Sequence, residues 1–341
     1  MQGTEQRRVT VHDVAKLAGV SAMTVSRVLS GKQSTSAEAA SRVRSAIEAT
    51  GFRMNKAASN LRQGRILTTI ALMVDRLDDP FFSQVMSAAQ DVASSRGALL
   101  VVTSAPRAGH NQTDTVTSLL ARSADGLLLY PSPEEHNLVV DGQPVVLIAR
   151  TAGIAGTDAV LVDNAHGARL GVSHLLEVGH TRIGLLDFGD SPLPTLPEPF
   201  VDTRADRLRG FRMAHDEAGI VVDESLIRYA GPTVEGARQA TLSLLDHDNP
   251  PTAFFGLNGR MTTGVLHALG SGLAGHGLAG IDDIELADVF DPPITVVAQD
   301  PQLMGRRGAE MLLDRLENPA LPLQRLELKM RLIVRGSGKP A

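Results

Sequence analysis

Along the first fifty residues apolar positions recur at helical spacing, punctuated by polar residues suited to starting and stopping helices. Thr10-Val11-His12-Asp13 has the form of a capping box with Asp in place of Glu, opening a helix with Val14, Leu17 and Ala18 on one face. Gly19 ends that helix, and Ser21 is placed to N-cap a second one over 21–30 with Val25, Val28 and Leu29 inward. Ala15 and Gly19, four apart, leave room for the two helices to cross closely. A third helix spans 36–50, with Ala40, Val43 and Ile47 inward and Gly51 as its stop. The pattern is that of a helix-turn-helix whose second helix enters a major groove.

Beyond Gly64 the period changes. Short apolar runs at 68–74, 98–103, 126–130, 145–149, 159–162, 183–188, 253–257 and 294–298 alternate with amphipathic stretches such as 81–96, 167–178, 205–218, 234–245 and 262–269. Strands that are apolar throughout, alternating with helices, imply parallel sheets covered on both faces. The length available suits two doubly wound α/β lobes.

Charge divides the chain at the same place. Of 341 residues with a net charge of −5, residues 1–65 hold eleven Lys/Arg against four Asp/Glu, a net +7, so the remainder carries −12. A basic head on an acidic body points the head at a polyanion. The absence of cysteine excludes disulfides, a thiolate nucleophile and Cys-ligated metal. No apolar run reaches the roughly 18 residues of a membrane span, and the polar N-terminus has no signal-like apolar stretch, so a cytoplasmic protein without membrane contact is expected.

On the second helix Arg27 could donate bidentately to guanine, while Ala22 and Met23 offer only apolar contact, for instance to a thymine methyl. Thr10, Ser21, Thr24 and Ser26 suit phosphate contacts that set position rather than sequence. The run Val9 to Gly31, followed by Gly51-Phe52, Asn55 and Ala57-Ala58-Ser59-Asn60-Leu61, resembles the LacI/GalR (lactose-repressor) family of bacterial regulators. The resemblance implies a hinge helix at about 55–62 that folds when two subunits meet on DNA. In it Asn55 and Ala58 contact DNA and Leu61 is a wedge opening the central base step of the minor groove. Met54 departs from the family's usual proline.

The body resembles the family's too. Asp79-Pro80-Phe81-Phe82, Asp163-Asn164, residues 179–183, 207–211, 280–283 and 292–300 match its signposts. The resemblance implies domains at 1–65 (helix-turn-helix with hinge) and 66–341 (two periplasmic-binding-protein-like α/β lobes that bind an effector and dimerise). It places effector contacts at Phe81, Phe82, Arg150, Arg207, Asn258, Asp282 and Gln299. The two phenylalanines could equally be core, and Arg207 could be a surface ion pair. Two carboxylates common in the family are replaced, by Ala149 and by Gly259. With Arg150 and Arg260 adjacent, an acidic, phosphorylated or less hydroxylated sugar derivative is one expectation. The proline-rich stretch 191–199 reads as a surface insertion or a rim over the cleft. The tail beyond Arg335 lacks leucine heptads, which favours a homodimer.

Two G-x-G-x-x-G matches, at 270–275 and 275–280, stand after a helix and before a strand, the reverse of a dinucleotide site. There is no Walker A, H-E-x-x-H or G-x-S-x-G, and His174 and His180 do not share a helical face. An enzyme, a cofactor and a metal site are not expected. A regulator binding a palindromic operator under effector control accounts for head and body together. A solute-binding protein of the periplasmic sugar-binding type accounts for the body alone.

Overall fold

A glycine sets the geometry of the head. In the computed structural model, which describes residues 11–29, 37–50, 68–104, 112–131, 143–151, 156–192 and 202–339, Gly19 has a φ of +63°. The N–H of Val20 reaches back to the carbonyl of Ala15 at 3.1 Å, closing a Schellman turn after α1 (Val11–Ala18). A side chain at 19 would meet only an arginine tip, 3.9 Å away, so the backbone conformation and not crowding requires glycine there. Helix α2 (Ala22–Leu29) is capped by Ser21, whose Oγ accepts from the N–H of Thr24 at 3.1 Å. With α3 (Ala37–Thr50) these helices bury Val14, Ala15, Ala18, Val25, Val43 and Ala46. Thr10 lies outside the described residues.

Residues 1–67 and 68–341 form two compact units. The second holds two six-stranded sheets. The first lobe contains β1 (Thr69–Val74), β2 (Leu99–Ser104), β3 (Gly126–Leu129), β4 (Val145–Ala149), β5 (Asp158–Val162) and β11 (Arg325–Leu328), in the order β11-β5-β4-β3-β1-β2, all parallel. The second contains β6 (Ile183–Asp187), β7 (Ile227–Tyr229), β8 (Ala253–Gly256), β9 (Gly277–Ile281), β10 (Thr295–Ala298) and β12 (Arg331–Ile333). Its order is β12-β10-β9-β8-β6-β7, with only β12 antiparallel.

Successive strand residues serve opposite faces. In β1, Ile70, Leu72 and Val74 pack with Val85 of α4 (Pro80–Ser95) and Met304 of α10 (Pro301–Glu317). Ala71 and Met73 pack with Val116 of α5 (Gln112–Arg122). The second lobe repeats the scheme: Leu185 and Phe255 lie in the same cluster as Val172 of α6 (Asn164–Glu177) and Phe211 of α7 (Thr203–Glu217). Leu186 and Phe254 join Ala237 of α8 (Val234–Leu245) and Val265 of α9 (Gly259–Leu269). Helices α6 and α7 approach so closely that a Cβ at Gly210 would stand 2.1 Å from the carbonyl oxygen of Ala165.

Several helices of the body start up to three residues earlier than the pattern-based expectation because a side chain caps them there, Asn258 for α9 and aspartates for α4, α6 and α7. Asp163 accepts from the N–H of His166, and Asp202 from those of Arg204 and Ala205. The chain passes between lobes three times, after β5, after β10 and between β11 and β12. Its last described segment then seals the second lobe. Ser337, 1% exposed, donates to the carbonyl of Leu278 at 2.6 Å and accepts from the N–H of Thr295 at 2.8 Å. Ser337→Ala leaves both buried groups unpaired and should lower the unfolding free energy of the body by about 1–3 kcal/mol in urea titrations.

Candidate functional site

A parallel strand delivers its carboxyl end, and the residue after it, to one rim of the sheet. Here the rims of both sheets meet around a single cavity lined by Asp75 after β1, Tyr130 after β3, Ala149 at the end of β4, Phe188 after β6, Asp282 after β9 and Gln299 after β10. Strand order reverses between β1 and β3 and between β6 and β8, the switch points where such sheets leave a crevice. Of the effector residues expected from sequence, Phe81, Phe82, Arg207, Asn258, Asp282 and Gln299 all line this cavity.

Arg207 is the central group. It is 4% exposed; its Nε donates to Oδ1 of Asn164 at 2.9 Å and its Nη1 to the carbonyl of Leu257. Among the described residues no carboxylate lies within ion-pair distance, and Arg207 is buried rather than on the surface. Burial pulls the pKa of the guanidinium down and Asp282 opposes that shift; an arginine stays charged regardless. Asp282, held at a φ of +76°, accepts from Nε2 of Gln299 at 2.5 Å and from the N–H of Gly259 at 3.1 Å. Burial pushes its carboxyl above the usual range, against the pull of Arg207. Asn258 caps α9, its Oδ1 accepting from the N–H of Met261 at 3.0 Å.

Phe82 is buried and meets Tyr130 edge-on, with centroids 4.9 Å apart, while half-buried Phe81 meets Phe82 at 5.3 Å. Phe82 is therefore core that also forms cavity wall, and Phe81 is the more accessible ring.

Arg150 stands apart from the other expected effector residues. It does not line the cavity: its Nη2 donates to the hydroxyl of Tyr130, its guanidinium lies 4.5 Å from that ring centre, and its Nη1 is 3.9 Å from Asp202. Ala149, which ends β4 at a φ of +64°, lines the cavity, and Arg150 in the bend after it stacks on Tyr130, a residue of the cavity wall. Arg260 is engaged as well. Its Nε donates to Asp79 at 3.1 Å and its Nη2 to the carbonyl and Oδ1 of Asp78 at 3.1 and 3.2 Å. Asp78 and Asp79 belong to the first lobe and Arg260 to the second, so this ion pair ties the lobes together. The two arginines on which an anionic ligand was expected thus have internal partners.

Sequence reading missed Asp75, Arg76, Tyr130, Phe188, Thr203 and Pro232, which also line the cavity. The ends of the apolar runs were the available signal: Asp75 follows the run 68–74, and Tyr130 and Phe188 close the runs 126–130 and 183–188. The enclosed space is about 70 Å³, well below the roughly 300–1,000 Å³ of small-molecule pockets. Asp79, Phe81, Arg260, Asp282 and Gln299 also border a neighbouring cleft of about 730 Å³. The Arg260 ion pair stands at the partition between the two.

In the head, Met23 is 65% exposed, Ser21 is exposed, Thr24 is half-buried, and Ala22 packs against the core. Asn55, Ala58 and Leu61 lie outside the described residues, as do the side chains of Ser26 and Arg27 and most of the proline-rich stretch. Among the described residues no group of His, Asp and Glu could hold a metal, and no helix is long and apolar enough to cross a membrane.

Residues 10–55 match the profile of the bacterial regulatory proteins of the lacI family, and residues 172–338 that of the periplasmic binding protein-like domain. The HTH-type transcriptional regulator CelR of Thermobifida fusca is 32% identical over 348 residues, covering 98% of this chain and 99% of that protein. The solved CelR–cellobiose complex matches with a TM-score of 0.66 at 29% identity, covering 97% of this chain and all of that one. The Lac repressor bound to ONPG in its repressed state matches with a TM-score of 0.74 at 28% identity and the same coverage.

Loss of the cross-lobe ion pair should loosen the body. Arg260→Gln is expected to raise the radius of gyration of the unliganded chain in small-angle X-ray scattering. An unchanged curve would assign closure to packing alone.

Proposed function

The chain belongs to the LacI family of bacterial regulators and is a DNA-binding transcriptional regulator rather than an enzyme; from that premise we propose that it is a repressor whose operator affinity is set by a sugar or sugar derivative held between its lobes. The observation that carries the effector half is Arg207: a buried guanidinium, anchored by Asn164 and Leu257 yet without a carboxylate partner, in a cavity formed by strand ends of both lobes. Such a group is suited to donating to ligand oxygens. Phe81, Asn258, Asp282 and Gln299 are the proposed companions. CelR, the relative solved with cellobiose, supports the sugar class.

The proposed division is a DNA-reading head at 1–65, with a hinge helix at about 55–62, and an effector-binding, dimerising body at 66–341. The protein acts in the cytoplasm as a homodimer on a palindromic operator. Two recognition helices, through Arg27, Met23 and neighbouring Ser21, Thr24 and Ser26, enter successive major grooves. Leu61, Ala58 and Asn55 meet the minor groove between them. The effector prefers one arrangement of the lobes and shifts DNA affinity by that preference. The acidic remainder of the chain, repelled by phosphate, leaves the head as the contact with DNA.

The test begins with selection of operators from random DNA by the full chain, with and without a panel of sugars. Recovery of a palindrome whose affinity changes with one sugar is expected. Arg27→Ala should then cost about 1–3 kcal/mol at a single base pair and relax specificity there. Equal losses on selected and random DNA would remove Arg27 as a base reader.

A further inference from the structure

We infer that His174 and His180 form a proton-sensitive clasp on the second lobe: while both rings are neutral the segment 336–338 holds the edge of the lobe, and protonation of the rings releases it. The segment follows β12 and is bonded to three other places in the chain. The N–H groups of Gly336 and Ser337 both donate to the carbonyl of Pro293 at 2.9 Å, and the N–H of Leu278 donates to the carbonyl of Ser337 at 2.7 Å. Together with the two bonds of the Ser337 hydroxyl, these staple β9 and the start of β10 to the chain beyond β12. Two imidazoles press on the staple. His180 is 3% exposed and His174, on α6, is half-buried; among the described residues the Nε2 atoms of both are buried without a hydrogen-bond partner. A Cβ at Gly338 would stand 2.5 Å from Nε2 of His174, and one at Gly277 would stand 2.4 Å from Nε2 of His180. Glycine at both positions is what admits the rings.

The hydroxyl of Thr252 donates to the carbonyl of Arg182 at 3.3 Å, so its oxygen accepts from Nδ1–H of His180 at 3.0 Å. That tautomer leaves Nε2 of His180 a bare lone pair against packed backbone. A second proton there puts a charge into a dry space, and among the described residues neither ring has a carboxylate in ion-pair reach. Glu177 acts on His174 from the same helix, and half-buried His276, just before β9, acts on His180, as does His174 itself. Arg182 is paired with Asp223 and Arg335 with Asp283, while Lys339 is exposed. Burial holds both imidazoles below their usual range, against the opposing pull of Glu177 at His174 and of the Gly338 backbone at His180. The rings are therefore neutral in the fold, and the unfolded chain takes up more protons as pH falls through about 6.5. The stability they contribute is complete above that value and is lost below it. Its loss falls on β12, a three-residue edge strand whose one neighbour in the sheet is β10. Because β12 ends the last of the three connections between lobes, acid would loosen the body with no ligand involved.

Hydrogen exchange of the full chain, read by mass spectrometry at pH 7.5 and pH 5.5 and corrected for the intrinsic exchange rate, tests the clasp. Peptides over 277–281 and 331–338 should exchange about 10-fold faster at pH 5.5, while β1 and β3 of the first lobe keep their protection. His174→Phe combined with His180→Asn fills much of the same space with groups that do not titrate, and the asparagine amide can still donate to Thr252. This double variant should exchange at the same corrected rate at both pH values. Where it does not fold, His174→Phe alone should show a smaller pH effect than the unaltered chain. Equal protection of 331–338 at the two pH values in the unaltered chain would overturn the inference, as would equal losses in both lobes or an undiminished loss in the variant.

Discussion

Parallel strands must all run the same way, and helices on both faces leave such a sheet open only at its two ends. From that constraint the site of this protein follows. Alternate residues of β1 are committed to α4 and α10 on one side and to α5 on the other, so no strand face is left for binding. Chemistry is confined to what stands just past the carboxyl ends, where backbone groups and short loops tolerate polar residues. Two sheets brought rim to rim concentrate that chemistry into one cavity whose halves belong to different lobes. A ligand touching both halves senses their separation.

Within the cleft, charge is distributed unequally between structural and available groups. Arg150, Arg204 and Arg260 have partners: Tyr130 with Asp202, Asp187, and Asp78 with Asp79. Among the described residues Arg207 is fixed by neutral acceptors alone. A guanidinium left without a carboxylate is free to donate to a bound molecule. Among the described residues few buried polar side-chain atoms lack a partner, and Thr203 Oγ1 on the cavity wall is one of them.

Much of this was legible in the sequence where a residue's role is local. Gly19, Ser21 and the apolar spacing around them announce the helix-turn-helix, and the apolar runs announce the strands. The Gly-rich stretch after α9 is a turn leading into β9, as its order suggested, with Gly270, Gly272 and Gly275 at positive φ. What escaped was side-chain direction and long-range partnership. Arg150 adjoins a cavity residue in sequence yet is engaged by Tyr130 and Asp202. Arg260 finds its partners 181 and 182 residues away, a distance no local pattern reports. The short strands β7, β11 and β12 also escaped, because three or four residues of mixed polarity carry too little periodicity.

The three passages of the chain between lobes impose an order on assembly. The first sheet gains its β11 edge and the α10 layer only after the whole of the second lobe's parallel sheet has been synthesised. The second lobe in turn awaits β12 and Ser337, almost the last residues described. Neither lobe is completed on the ribosome before its neighbour exists, although the three described helices of the head, all made by residue 50, could pack at once. A nascent chain would therefore present an ordered head well before the body that is to govern it, and the body would be finished in a single late step.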